Sequence, residues 1–588
     1  MSGIFGYIGT EQCKDILTAG ISSLEKRGAD TTGIVIKCKD DFIAIKTKGG
    51  TSDLKQKAAA VKNESTIGIA QCDKAMRCKA TQLTAKPACN NLFAAAMDGT
   101  IENFDDLKRW TNNPFPIATD EDLLLAMLCV GNDPNKLEII KKFDTLIRGT
   151  PSYAFISNDE NTIYCKAGSR PIVIGISSNG FYLSSEIGAI TSLADRYIFL
   201  DENEAAKITA DKAIIFDSRY KKIKKTILET PDAVYFENDY SIKDEIFYCP
   251  LTVKETYRRF IQNSKINFDN LKLNHRAVDK LNRIIITGTG GSYNTAEISA
   301  YNFSMVTDIP TNAYPAGELR YSGCVIDRNT LLIAISHRGE SEDTIACVKR
   351  FKAIGAKTIA VTSNASSYLA KLCDSIINPN CDFDINEISL RSFISNYLAM
   401  SFLALHIGCK SGIVNELYLN VTIKMAEMLP GKISSAIKPS PAIEKAAGML
   451  SQTENVFVTG LGADYALSLE GADKLRKIAK VNASAYCVSE LVQKCTSILD
   501  GSLVIAFITN KELLHKALYS LRRAKALGAK IIIITTENIE EEINDFESII
   551  SFNDSVPLLN PPACIAGLYK IAIIADEIKN KTEIEIAG

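Results

Sequence analysis

Two turns rich in glycine and hydroxyl residues carry side chains suited to holding a phosphate. The first lies in Ile284–Asn294, IIITGTGGSYN. Its apolar and β-branched start reads as a buried strand. Gly288, Gly290 and Gly291 then open a tight turn, and Ser292-Tyr293-Asn294 begins an amphipathic run through Ala300. Strand, glycine loop and helix start together make an anion cradle, because backbone N–H groups point outward and the helix dipole favours negative charge. Glycine turns after strands also arise for structural reasons alone. A second turn of the same kind, one βα unit later, weighs against that. In Leu331–Thr344, LLIAISHRGESEDT, an apolar strand runs into Ser336-His337-Arg338-Gly339-Glu340-Ser341 and then into a helix. The hydroxyls of Ser292, Ser336 and Ser341 can wrap a phosphate, with Gly291 and His337 beside them. Arg338 adds a charge-assisted contact if it points inward, and is a solvated loop charge otherwise.

Stepping outward from these turns, the chain of 588 residues implies roughly three or four domains. Hydrophobic residues make up 46% and charged residues 23%, which are globular values. The net charge of -2 implies no basic face, so nucleic acid is not expected as a partner. No uninterrupted apolar run approaches the ~18 residues that would cross a bilayer, so no membrane is expected either. The start, MSGIFGYIGT, lacks a basic region and a cleavage site, and no secretory signal is read there. The 16 cysteines are scattered without a zinc-spaced pair and read as reduced, buried thiols of a cytoplasmic protein. The 4 histidines, His275, His337, His406 and His515, are too dispersed for a metal site. No metal and no cofactor is expected.

Residues 1–220 alternate short β-type runs with turns: GIFGYIG, GIVIKC, FIAIKTKG, TIGIAQC, LFAAAMDG, YAFISND, TIYCKAG, IVIGIS, FYLSSE and AIIFD. Two helical stretches, Cys13–Lys26 and Asp120–Cys129, interrupt them. This pattern predicts a layered α+β domain with stacked sheets. Residues 221–260 shift in composition, from KKIKK to an acidic, aromatic segment, and read as a linker. Beyond it βα alternation predicts parallel sheets flanked by helices. This half repeats itself. Ile286-Thr-Gly-Thr-Gly-Gly-Ser-Tyr293 is echoed by Val458-Thr-Gly-Leu-Gly-Ala-Asp-Tyr465, and Arg350-Phe-Lys-Ala-Ile-Gly-Ala-Lys357 by Arg523-Ala-Lys-Ala-Leu-Gly-Ala-Lys530. Leu332-Ile-Ala-Ile335 is matched by Leu503-Val-Ile-Ala506 at nearly the same offset. The reading is two copies of one doubly wound domain, 261–430 and 431–588. The second copy has Ile508-Thr-Asn-Lys-Glu512 in place of the serine turn, and Asp464 and Glu512 there repel an anion. A phosphate site is expected in the first copy only.

These motifs, in this order, resemble the glucosamine-6-phosphate synthase family, also called glutamine–fructose-6-phosphate amidotransferase. MSGIFGYIG is similar to the family's MCGI-G-IG start, LEKRGAD to LEYRGYD, DGTIEN to NGIIEN, and Thr119-Asp120 to its TDTE segment. GTGGSYN is similar to CGTSYN, SHRGESEDT to SQSGETADT, and LEGADKL to LEGALKL. The resemblance spans nearly the whole chain. It implies an N-terminal-nucleophile (Ntn) glutaminase-like α+β sandwich followed by two tandem SIS (sugar-isomerase) domains. It implies a hexose 6-phosphate ligand and a homodimer through the SIS domains. In the family, glutamine is hydrolysed at one site and fructose 6-phosphate is aminated and isomerised at the other.

Several family positions are substituted here. Ser2 stands at the nucleophile position, where a hydroxyl needs a well-placed base more than a thiol does. The run matching HTRWATHG reads Gln71-Cys-Asp-Lys-Ala-Met-Arg-Cys78, so Asp73 replaces the arginine that pairs with the substrate carboxylate and Lys74 replaces tryptophan. Asp98 replaces the oxyanion-hole asparagine, and an ionised carboxylate cannot donate a hydrogen bond. Arg27, Gly99 and Asp120 remain as a glutamine-site remnant. In the sugar half, Lys477 stands where the family has glutamate in KLKEI, and Gln493 where it has the histidine of GELKHGP. The cradle residues Gly291, Ser292, Ser336, His337, Arg338 and Ser341 keep their type. The expectation is a degenerate synthase that binds a hexose 6-phosphate, as a pseudoenzyme or as the heteromeric partner of an active relative. The alternatives are an active amidotransferase or sugar-phosphate isomerase, and a structural scaffold.

Overall fold

The structure, a computed structural model, describes residues 2–25, 30–39, 41–61, 64–75, 77–111, 117–131, 135–229, 242–268, 271–381, 388–536, 543, 545–553 and 555–587. The chain divides into two compact units, Met1–Phe236 and Glu237–Gly588.

In the first unit the β-type runs form two antiparallel sheets, of eight and seven strands among the described residues. The strand Ser2–Gly9 is buried along its length, so it reads as a continuous apolar run and not an alternating one. Its Ile4 and Ile8 join the layer between the sheets, while Phe5 and Tyr7 face a helical layer on the outside. The second sheet carries a helical layer of its own, packed on Ala95, Met97 and Phe155. The result is a four-layer arrangement with two sheets inside. Helices cover more of it than the two expected. Besides Cys13–Leu24 and Asp120–Gly131 there are Thr51–Ala59, Phe104–Thr111 and Lys136–Leu146.

The helix Cys13–Leu24 sits unusually close to its sheet. A Cβ on Gly20 would lie 2.4 Å from the ring of Phe5, which is fully buried. Gly20→Ala should therefore destabilise this unit, although alanine is the better helix former by about 1 kcal/mol. Forcing the ring aside costs about 1–3 kcal/mol. A lower urea midpoint for the variant is the expected result, and a higher one would show that the ring yields freely.

Among the described residues the second unit holds two five-stranded parallel sheets with the same strand order. In the first copy that order is Thr311–Pro315, Arg283–Gly288, Thr330–Ile335, Lys357–Val361, Ser375–Ile377. In the second it is Asn482–Cys487, Asn455–Gly460, Leu503–Ile508, Lys530–Thr536, Ser548–Phe552. The repeat extends to single dihedral angles. Gly290 has φ 55° and ψ -128°, and Gly462 has φ 66° and ψ -128°. Both conformations favour glycine. One apolar core runs through both copies, from Ile284 to Tyr569.

One sequence expectation is corrected here. The stretch read as a linker includes the helix Ile242–Phe260, whose Ile246, Cys249 and Val253 are buried in this core. Two helical segments, Leu390–Lys410 and Pro557–Lys581, are apolar and long enough to cross a membrane by length and composition. Polar residues interrupt each, which hides them from a search for unbroken apolar runs. In the fold 89% of each apolar window is buried, as suits a core helix.

Candidate functional site

The two glycine- and hydroxyl-rich turns of the first copy meet. The helix Gly291–Val306 begins at Gly290 with no side-chain cap, and the helix Glu342–Ile354 begins at Ser341, also without one. Thr289 Oγ1 lies 3.2 Å from Ser341 Oγ, which accepts from Thr344 Oγ1 at 3.0 Å. A Cβ on Gly288 would sit 2.8 Å from Ser292, so only glycine lets the chain fold back so tightly.

The second turn is held from beneath by residues 362–367. The His337 carbonyl accepts from Thr362 Oγ1 at 3.0 Å and from Ser363 N at 3.0 Å. Its ring Nδ1 lies 3.1 Å from Ser363 Oγ. Gly339, with φ 71°, packs so closely on Ser367 that a Cβ would lie 2.0 Å from its hydroxyl. Ser336 is buried, and Ser292, His337, Arg338 and Ser341 are partly buried. Two helix N-termini and several hydroxyls thus converge, a constellation suited to an oxyanion.

The sequence reading missed the groups that close this site from the second copy. Lys474 Nζ lies 3.6 Å, and Glu470 Oε2 3.7 Å, from where a Cβ on Gly291 would stand. Their side chains are 1% and 0% exposed and pair at 2.8 Å. Glu470 also accepts from Asn294 Nδ2 at 2.8 Å and from the Tyr569 hydroxyl at 3.1 Å. Lys474 contacts Asp473 at 3.3 Å, and Asp473 accepts from Lys477 at 2.9 Å. Burial pulls the Lys474 ammonium down, but Glu470 and Asp473 outweigh it and hold the group above the usual lysine range. Burial likewise pushes Asp473 up, and the two lysines outweigh it, leaving its carboxyl below the usual range. The signal was present as the i,i+4 pair Glu470–Lys474 in LEGADKL. Lys477 and Gln493 are exposed.

In the second copy an acidic residue stands two positions after the matching glycine. Asp464, 4% exposed, accepts from Thr509 N at 2.8 Å and from Thr509 Oγ1 at 2.6 Å.

In the first unit, strand pairing sets Ser2 opposite Asp73. Ser2 Oγ donates to Asp73 Oδ1 at 2.6 Å, and Ser2 N donates to Asp98 Oδ1 at 3.2 Å. Each carboxylate also meets an internal cation. Arg170 contacts Asp98 at 2.5 Å, and Lys86 contacts Asp73 at 3.3 Å. Lys86 also pairs closely with buried Glu121, which accepts from Gln71 Nε2 at 2.8 Å. Burial pulls Lys86 down, yet Glu121 and Asp73 hold it above the usual lysine range. Asp120 is engaged by Arg77 through Nε at 3.1 Å and Nη2 at 2.9 Å, and it accepts from Ile101 N at 3.1 Å. It therefore anchors the loop that starts at Gly99, whose φ is 115°. Lys74 is exposed, and Arg27 lies outside the described residues.

The SIS domain family matches residues 279–406 and 449–545. The glutamine–fructose-6-phosphate aminotransferase (isomerizing) of Caldanaerobacter subterraneus subsp. tengcongensis is 27% identical over 584 residues, covering 97% of this chain and 96% of that one. The protein of the same name from Clostridium tetani is 28% identical over 550 residues, covering 91% and 90%. Among solved structures, the C-terminal domain of glucosamine-fructose-6-phosphate aminotransferase from Francisella tularensis matches with a TM-score of 0.56 at 22% identity, covering 59% of this chain and 98% of that one. That likeness establishes the fold of the second unit. Along nearly its whole length the chain is thus similar to the glutamine–fructose-6-phosphate aminotransferases, and two stretches of its second unit match the SIS domain.

Proposed function

We propose that this protein binds a hexose 6-phosphate in its first SIS copy and has lost glutaminase and synthase chemistry, acting as a pseudoenzyme or as the regulatory partner of an active relative. One observation carries the reading: Ser2 faces two carboxylates, each already paired with an internal cation. An oxyanion forming beside Ser2 needs hydrogen-bond donors, and Asp98 is an acceptor. A substrate carboxylate needs a cation, and Asp73 repels it. Losing a single oxyanion donor costs about 10²–10³ in rate. The reading takes the protein as a cytoplasmic homodimer through its SIS domains, without metal or cofactor.

A second reading, an active sugar-phosphate isomerase or ammonia-dependent synthase, is favoured by the buried Lys474 and Glu470 beside Gly291, with Asp473 against Lys474. Buried ionisable groups paired beside a ligand site are candidates for proton transfer. The same experiment separates the two. Glutamate release from glutamine should be no faster than for Ser2→Ala, and no glucosamine 6-phosphate should form from fructose 6-phosphate with either glutamine or ammonia. Ser2-dependent glutamate release would restore the glutaminase. Product with ammonia alone would establish the second reading, because ammonia bypasses the first unit.

A further inference from the structure

The two cradles of the second unit share a glycine turn and differ in the residues that follow each of their turns. Gly290 and Gly462 make the same turn, with matching dihedral angles. Two residues later stand Ser292 and Asp464. By strand register Ala334 matches Ala506, so Ser336 stands where the second copy has Ile508, and His337 where it has Thr509. In the first copy the hydroxyls surround the turn. In the second, the Asp464 carboxylate reaches across it, and its two oxygens take the backbone N–H and the hydroxyl of Thr509, at 2.8 and 2.6 Å. This anionic group sits at the start of the helix Ala463–Ile478 and is 4% exposed. Among the described residues it enters no ion pair. Burial outweighs the Thr509 donors, which pull the other way, and its carboxyl is pushed up to about 6. The Thr509 donors are thus spent on a carboxylate of the chain itself, whereas in the first copy Ser336 N donates to the Val361 carbonyl at 3.0 Å and hydroxyls line the turn.

We propose that Asp464 is a tethered anion that fills the second cradle, confining oxyanion binding to the first copy, and that deleting its carboxylate opens a second oxyanion site. The ligand class is a small tetrahedral oxyanion or the phosphate group of a metabolite. The inference draws on the reading of the first copy as a phosphate site, and the experiment keeps the two apart. Inorganic phosphate is titrated calorimetrically into the full-length chain, into Asp464→Ser, and into each of these combined with Ser336→Ala and Ser341→Ala.

The expected result is one added phosphate site in each Asp464→Ser chain, present even where the first cradle is disabled. Failure of the first-copy reading appears differently, as no phosphate bound by the parent chain while Asp464→Ser still gains its site. No gain in either Asp464→Ser chain overturns the proposal. Asp464→Asn, which keeps the shape of the occupant, should gain no site; binding there equal to Asp464→Ser would make charge, not occupancy, the closing device and overturn it as well. If Asp464→Ser is too unstable for calorimetry, phosphate must raise its melting temperature more than it raises the parent's, and an equal shift overturns the proposal.

Discussion

Fructose 6-phosphate and glucosamine 6-phosphate should raise the melting temperature of the full chain, and free fructose and glucosamine should not. The discriminating group is the phosphate dianion, met by the starts of the helices Gly291–Val306 and Glu342–Ile354 and by the hydroxyls of Ser292, Ser336 and Ser341. A ligand that binds only the native state stabilises it by about 2.7 kcal/mol at a hundred times its Kd. Hydrogen bonds to a charged group contribute about 1.5–3 kcal/mol each. Ser336→Ala with Ser341→Ala removes two such donors and should weaken binding by roughly a hundredfold or more, erasing the shift at moderate ligand concentration. Thr509→Ala, in the other copy, should leave the shift intact. An undiminished shift in the double variant, or an equal one with free fructose, would move the site elsewhere and favour the scaffold reading.

The second large effect concerns the charge cluster behind that cradle. Lys474→Met should destabilise the second unit by about 3–5 kcal/mol, because it leaves the fully buried Glu470 without its cation. Asn294 and Tyr569 still donate to Glu470, but neither carries charge. Adding Glu470→Gln should recover much of the loss, since replacing both members of a buried ion pair is often close to neutral. Chemical denaturation of the single and double variants measures this directly. A double variant less stable than Lys474→Met alone would mean that Glu470 is held chiefly by its hydrogen bonds. Both variants should also weaken sugar-phosphate binding, because the pair stands against Gly291 at the cradle floor.

The parts of the molecule legible in the sequence were those whose cause is local. Ser2–Gly9 and Leu503–Ile508 announce themselves as strands because each is an apolar run bounded by turn residues. The glycines of IIITGTGGSYN announce a turn because other residues are strained there. What escaped was set by distant partners. Thr51–Ala59 buries only Thr51, Leu54 and Ala58, too few to mark a helix by periodicity. Ile242–Phe260 contains Pro250, which ordinarily argues against a helix interior. Glu470 and Lys474 carry no local sign of burial, because Asn294 and Tyr569, which engage Glu470, are distant in sequence. Asp464 reads as a residue that repels anions, and only its contact with Thr509 shows that it occupies their place.

The hydrogen bond from Asn294 to Glu470 spans 176 residues. A ribosome adding about 5–20 residues per second needs roughly 10–35 s to cover that distance. Through that interval the first cradle has its glycines and serines but not the carboxylate and ammonium beneath them. The first cradle is therefore completed only once the helix Ala463–Ile478 has been made, and a ligand of that cradle can assist folding only from then on.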